Sequence, residues 1–286
     1  MNIGVTCWKC ILDPLPETVR RALPDEPGRS ALFRHILAKL GALPEDAAPP
    51  DAAAEVQRCV AEVTGDRDFY REIKDRSTDL GLAMLPVMRE LVEKASDPFE
   101  TALRIAIGGN IIDYGCLPDF DLATAETRIR EVLTLPLDPA AVARARCLME
   151  NARSILYLLD NCGEAVLDRL LVERFADKIT LAVRGGAIYN DVNRCDLVRS
   201  QFPPLPVVDT GDCTPGVSLR HASAAFQKAM RAADLVVAKG QGNYETLDRY
   251  DRPILHLLRI KCPVVAARLG APQGSLQVLA RNAADR

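Results

Sequence analysis

Ser154-Ile-Leu-Tyr-Leu-Leu-Asp-Asn-Cys-Gly-Glu164 is the stretch on which the fold turns. A short apolar run stops at Asp160-Asn161, and a helical pattern follows from about 164 to 174. The same rhythm continues downstream. Ile179–Val183 ends at Arg184-Gly-Gly, and Leu205–Val208 ends at Asp209-Thr-Gly-Asp212. Asp234–Ala238 ends at Lys239-Gly-Gln-Gly242, and Pro253–Leu258 and Pro263-Val-Val265 read as late strands. Short apolar runs alternating with helices predict a parallel sheet with helices on both faces.

Upstream the period changes. Residues 16–150 read as mainly helical, with apolar positions at helical spacing in Leu32, Ile36, Leu37 and Leu40, and again in Leu80, Met84, Val87, Met88 and Leu91. Ala47–Asp51 reads as a turn before a helix, and Asp138 as the N-cap of a helix over about 139–149. The expected architecture is α/β. A helical N-terminal part (1–150) packs on an open, mainly parallel sheet with helices on both faces, in a Rossmann-like core (151–286).

Bulk properties exclude several classes. The 286 residues are 48% hydrophobic and 26% charged, with a formal net charge of −3, which fits a globular chain with a sizeable core. Nothing in the balance points to nucleic acid. No apolar run approaches the roughly 18 residues of a membrane span, and the first ten residues lack the basic and apolar regions of a signal peptide. The expected compartment is the cytoplasm, with no membrane or nucleic-acid partner. Oligomeric state is not readable. Nine cysteines are an odd number, and in that compartment a disulfide framework is not expected.

The chemistry concentrates where the apolar runs end. In open α/β sheets ligands bind outside the carboxyl ends of the strands, so four polar clusters converge on one rim. Asp160 and Asn161 supply hard oxygen donors suited to Mg²⁺, Mn²⁺ or a related ion; the same residues equally serve to cap a helix. Asn190-Asp191 offers a further carboxylate, or an Asx turn. Arg184 offers planar donors for phosphate or carboxylate. Asp209–Gly216 reads as a long turn or as an anion-binding loop. Lys239 stands before a Gly-rich turn containing Gly240 and Asn243, a candidate phosphate cradle without Walker A spacing. Gly108-Gly-Asn-Ile-Ile-Asp113 breaks helical propensity in an apolar context, and Asn110 and Asp113, three apart, would share a helix face.

Cys7-Trp-Lys-Cys10 lacks the second pair that a structural zinc site wants, with Cys262 as a distant third partner, so these three are candidate accessory thiols. The other six read as ordinary residues. His35, His221 and His256 share no ligand spacing, and His256 reads as a core histidine.

The ordered set Cys7-x-x-Cys10, Gly109–Asp113, Asp160–Glu164, Val183-Arg-Gly, Asn190-Asp-Val192, the loop ending in Thr-Pro-Gly216, and Ala238-Lys-Gly-Gln-Gly-Asn-Tyr-Glu245 resembles the DUF89 family of damage-control phosphatases, which have the ARMT1-like fold. The N-terminal C-x-x-C is similar to its prokaryotic and archaeal branch. The resemblance implies a metal-dependent phosphatase acting on small phosphorylated metabolites. It further implies a divalent ion (Mn²⁺, Ni²⁺, Co²⁺ or Mg²⁺) at Asp160, Asn161 and Asp191, with substrate phosphate on Lys239. Arg184, Gly240, Asn243, Asn110 and Asp113 complete the expected substrate contacts. One departure is Arg184-Gly-Gly-Ala, where the family often carries proline. Attack by water and attack by Asp160 through an aspartyl-phosphate both remain open. Two other readings stand beside this one. One is a non-hydrolytic nucleotide- or metabolite-binding protein. The other is an S-adenosylmethionine-dependent carboxyl methyltransferase, against which the single glycine after the first strand argues.

Overall fold

The computed structural model describes residues 1–109 and 122–283. Its strands are β1 (Ile155–Leu158), β2 (Ile179–Val183), β3 (Val207–Asp209), β4 (Leu235–Lys239), β5 (Ile254–Arg259) and β6 (Leu276–Arg281). They form one sheet in the order β3-β2-β1-β4-β5-β6. The first five strands are parallel, and β6 closes the edge antiparallel to β5. The sequence order steps outward from β1 to β3 on one side and resumes at β4 on the other, so the carboxyl ends of β1 and β4 flank a topological switch point.

The strands are apolar throughout because both faces are covered. Ile155, Tyr157, Leu181, Val183, Val237 and Leu255 point into one cluster, shared with α5 (Arg71–Lys94), α6 (Pro98–Gly108), α8 (Pro139–Asn151) and α9 (Cys162–Val172). Leu156, Leu158, Ala182, Val236 and Ala238 point to the other face, against Phe226 and Met230 of α11 (Ala224–Ala232) and Leu247 of α12 (Gly240–Leu247). Gly81 lets α5 approach α9 closely, since a Cβ there would lie 2.8 Å from the carbonyl oxygen of Gly163. The connecting helix α7 is Leu122–Thr134, and the short α10 is Arg194–Arg199.

Helix starts follow local chemistry. Asp97 precedes Pro98 and accepts from Glu100 N–H (3.0 Å), and Asp138 precedes Pro139 and accepts from Ala140 N–H (2.9 Å). Each pair satisfies an orphan N–H at the position where proline has none to lose. The turn expected over Ala47–Asp51 is shorter than its reading. Pro49 already begins α4 (Pro49–Thr64), and the Asp51 carboxylate takes the Ala48 N–H.

α1 (Val5–Leu12), α2 (Leu15–Ala22), α3 (Glu26–Gly41) and α4 bury a cluster of their own around Leu15, Leu32, Ile36 and Val56. Met1 and Cys7 join a further cluster with Tyr244, Leu258, Ile260 and Val265, which fixes α1 beside α12 and the end of β5. No helix among the described residues is long and apolar enough to cross a membrane.

One strand expectation needs correction, and one strand had none. Pro263-Val-Val265 is the first turn of a helix, α13 (Pro263–Leu269). Pro263 occupies its first position, the Cys262 thiol caps Val265 N–H, and Gly270 ends it in the left-handed conformation. Two valines after a proline carry no period, and the Ala-Ala-Arg-Leu that follows decides for helix. The last strand is β6, whose half-buried edge position gives it the alternating pattern Leu276-Gln-Val278.

Candidate active site

The carboxyl ends of β1, β2 and β4 carry the polar residues of the rim. Asp160 and Asn161 leave β1, and Asn161 is the N-cap residue of α9. The loop after β2 returns to meet them. Cys162 N–H donates to Asn190 O (2.8 Å), Val192 N–H to Asp160 O (2.9 Å), and Arg184 N–H to Val192 O (2.8 Å). Asn161 and Asp191 thereby pair as an isolated antiparallel bridge. Two carboxylates 31 positions apart in the chain are fixed side by side by backbone bonds.

Arg184 lies between them, 1% exposed. Its Nε donates to Asp191 Oδ2 (2.6 Å), its Nη2 to Asp160 Oδ1 (3.4 Å), and its Nη1 to Asn243 Oδ1 (3.3 Å). Burial pushes the Asp160 carboxyl well above the ordinary carboxylate range. The charges of Asp191 and Glu164 add to this, while Arg184 and Lys261 oppose it. Gly240, the first residue of α12, has φ of +75°, and a Cβ there would stand 1.9 Å from Asp160 Oδ2. Only glycine fits both demands. Asp160, Asn161, Asn190 and Asp191 open onto a cleft of 330 Å³, bounded also by Tyr70, Tyr189, Gly242 and Lys261. The amino-terminal ends of α9 and α12 both meet this rim, and such ends favour anions.

A family model described as the damage-control phosphatase ARMT1-like domain matches residues 3–276. The chain belongs to this family. A damage-control phosphatase of Pyrococcus horikoshii is 32% identical, with 99% of each chain covered. One of Archaeoglobus fulgidus is 31% identical over 96% of this chain and 98% of its own. The crystal structure of a DUF89 family protein from P. horikoshii superposes with a TM-score of 0.88 at 30% identity, covering 99% of this chain and 100% of that one.

Within this ARMT1-like domain, the expected site residues take three kinds of position. Asp160, Asn161 and Asp191 face the cleft together. Lys239 does not. The expectation placed its ammonium on a phosphate, whereas the structure buries it completely beneath the rim. Its three N–H donors go to Ala106 O (2.7 Å), Glu164 Oε1 (2.5 Å) and Asp168 Oδ1 (2.6 Å). Burial alone lowers the pKa of such a group, but Asp168 and Glu164 more than reverse the effect and hold the charge. Tyr157 Oη also donates to Asp168 Oδ1 (3.0 Å), and Asn161 Nδ2 donates to Glu164 Oε2 (3.5 Å), so this ion cluster supports a cleft residue from below. Asn243 is buried as well, and its Nδ2 donates to Lys239 O (2.7 Å) while its Oδ1 steadies Arg184. Asn110 and Asp113 lie outside the described residues. Cys7, Cys10 and Cys262 are brought together on one cavity.

Lys261, Tyr70 and Tyr189 had no sequence signal. Lys261 follows β5 without a neighbouring Asp, Asn or Gly cluster, and the two tyrosines meet only in the fold. Their rings pack edge to face at 5.3 Å and 76°.

The donor set fits a hard divalent cation. Among the described residues no three His, Cys, Asp or Glu side chains gather into a metal-holding group, so a site here rests on two carboxylates and the Asn161 amide. Those carboxylates repel one another, and Arg184 engages one oxygen of each. A cation beside them relieves that repulsion, and oxygen donors are the type that Mg²⁺, Mn²⁺ and related ions prefer.

Proposed function

We propose that the chain is a divalent-metal-dependent phosphatase that hydrolyses phosphate monoesters of small phosphorylated metabolites. The observation that carries this reading is the convergence of Asp160, Asn161 and Asp191 on one cleft, with Arg184 tied to both carboxylates. Relatives named damage-control phosphatases, similar over nearly their full length, support it.

Asp160, Asn161 and Asp191 would hold the ion, one of Mn²⁺, Ni²⁺, Co²⁺ or Mg²⁺. When bound, the ion supplies Lewis-acid polarisation of a phosphoryl oxygen and acidifies a water. The chain does the rest. Arg184 fixes the carboxylate geometry through one hydrogen bond to each of Asp191 and Asp160, is itself held by a third to Asn243, and keeps a positive charge next to the reacting group. Lys261 lines the open side of the cleft and offers an ammonium to an arriving dianion. The N–H groups at the start of α12 face the same anion. Lys239 keeps Glu164 in place under Asn161 and acts from beneath the rim. A cleft without the ion sets two carboxylates against the incoming phosphate, which is why activity should depend on the metal.

The test is phosphate release from an aryl phosphate, before and after EDTA, with Mn²⁺, Co²⁺, Ni²⁺ or Mg²⁺ added back. Activity should vanish with EDTA, return with at least one ion, and be absent in Asp160→Ala. EDTA-resistant release, or full activity in Asp160→Ala, contradicts the proposal.

A further inference from the structure

A second cavity, of 290 Å³, shares the Tyr70–Tyr189 pair with the cleft. It lies between α1, α2 and α4 on one side and the starts of α12 and α13 on the other. Its character is opposite to that of the cleft. Ile11, Leu15, Val56 and Val264 make its wall apolar, while Gln241 and Glu245 provide a polar pair, Gln241 Nε2 donating to Glu245 Oε1 at 2.8 Å. Burial pushes the Glu245 carboxyl up to about 7, while Gln241 and the N-terminal ammonium oppose the shift. Gln241 borders the apolar cavity and its chain neighbour Gly242 borders the cleft, so one turn of α12 spans both. Tyr189 has φ of +42°, a left-handed conformation that a non-glycine side chain keeps only where its surroundings impose it. That strained residue stands two positions before Asp191, and its ring is the wall common to the two spaces.

We propose that this cavity is a substrate subsite for the apolar, preferably aromatic, alcohol or phenol portion of a phosphate monoester whose phosphoryl group occupies the cleft. The inference rests on the phosphatase reading and adds a substrate class to it. A ligand anchored at Asp160 and Asp191 meets the second space at the shared Tyr70–Tyr189 pair, whose rings accept another ring edge to face or offset. A polyhydroxylated body would set part of its hydroxyls against Ile11, Leu15, Val56 and Val264, which cannot pair them. The thiols of Cys7, Cys10 and Cys262 present soft, weakly polar surface to the same space.

Two measurements on the full chain test it. The first compares benzyl phosphate with 2-hydroxyethyl phosphate, both esters of primary alcohols. The wild type should favour the benzyl ester by about tenfold or more in kcat/KM, and Ala53→Trp, which puts bulk into the cavity wall, should bring that ratio down about tenfold. The second reads the cavity without catalysis. Excess benzyl alcohol should slow N-ethylmaleimide alkylation of Cys10 and Cys262, followed by peptide mass spectrometry. Inorganic phosphate should not, and the exposed Cys147, Cys195 and Cys213 should be unaffected by either. Absence of protection by benzyl alcohol, or no preference for the benzyl ester in an active enzyme, overturns the subsite. Protection in a protein that hydrolyses neither ester overturns its assignment to substrate and locates the failure in the phosphatase reading.

Discussion

Gly240→Ala probes the placement of Asp160, and the fold provides its own control. Gly240 and Gly270 both have left-handed backbones, φ of +75° and +63°. An alanine in that region costs roughly 1–2 kcal/mol at either position. The surroundings differ. At Gly270 a Cβ meets nothing within 4 Å, whereas at Gly240 it would sit 1.9 Å from Asp160 Oδ2. The Asp160 carboxylate must then retreat to at least the 3.0 Å that real contacts keep. It has little room, being 7% exposed and tethered to Arg184. A displacement of about 1 Å in a reacting group is worth on the order of 100-fold in rate. The assay pairs thermal unfolding with metal-supplemented phosphate release from an aryl phosphate. Both variants should melt a few degrees lower, at roughly 2–4 °C per kcal/mol for a chain of this size class. Gly270→Ala should keep its activity within about twofold of wild type, while Gly240→Ala loses about 100-fold. If Gly240→Ala is as active as Gly270→Ala, the Asp160 carboxylate is not at the reacting centre.

Two further outcomes follow from buried charge. Lys74, 1% exposed, donates to Asp196 Oδ2 (3.0 Å), and that carboxylate also closes the Asn193 N–H beside the Asp191 loop. Lys74→Met should lower unfolding free energy in denaturant titration by about 3 kcal/mol, because it leaves a buried carboxylate with one cation fewer. His256 is fully buried, and neither ring nitrogen has a hydrogen-bond partner among the described residues. Burial, assisted by Arg281, lowers its pKa to about 3. The unfolded chain takes up a proton at this residue below about pH 6.5 and the folded chain does not until about pH 3, so stability falls as pH drops through that window. Relative to His256→Leu, the wild type should lose about 1.4 kcal/mol more per pH unit between pH 6 and 4, read from unfolding curves at each pH.

The rim was legible in the sequence because each polar cluster directly follows an apolar run, and parallel strands bring all their carboxyl ends to one edge. Asp160, Asn161, Arg184 and Asp191 are found that way. What the same rule does not give is direction. Lys239 is the last residue of β4 and, with Ala238 paired to Leu158, stands one step before the level of Asp160; it points down to Glu164 and Asp168, partners 75 and 71 positions away that become neighbours only when α9 packs on the sheet. The meeting of Tyr70, at the start of α5, with Tyr189, in the loop after β2, likewise depends on tertiary packing, as does that of Cys7 and Cys10 with Cys262 where α1 sits against α12 and α13. At the sheet edge, the two valines after Pro263 carry no period, and β6 is too exposed on one side to give a continuous apolar run. Those are the places where local pattern left the fold undecided.

The most direct test of the central claim is anomalous diffraction from crystals soaked with Mn²⁺ and inorganic phosphate. The expected result is one Mn²⁺ peak bonded to side-chain oxygens of Asp160, Asn161 and Asp191, with phosphate beside it in the cleft. A Mn²⁺ peak elsewhere, or none at these three residues at saturating metal, contradicts it.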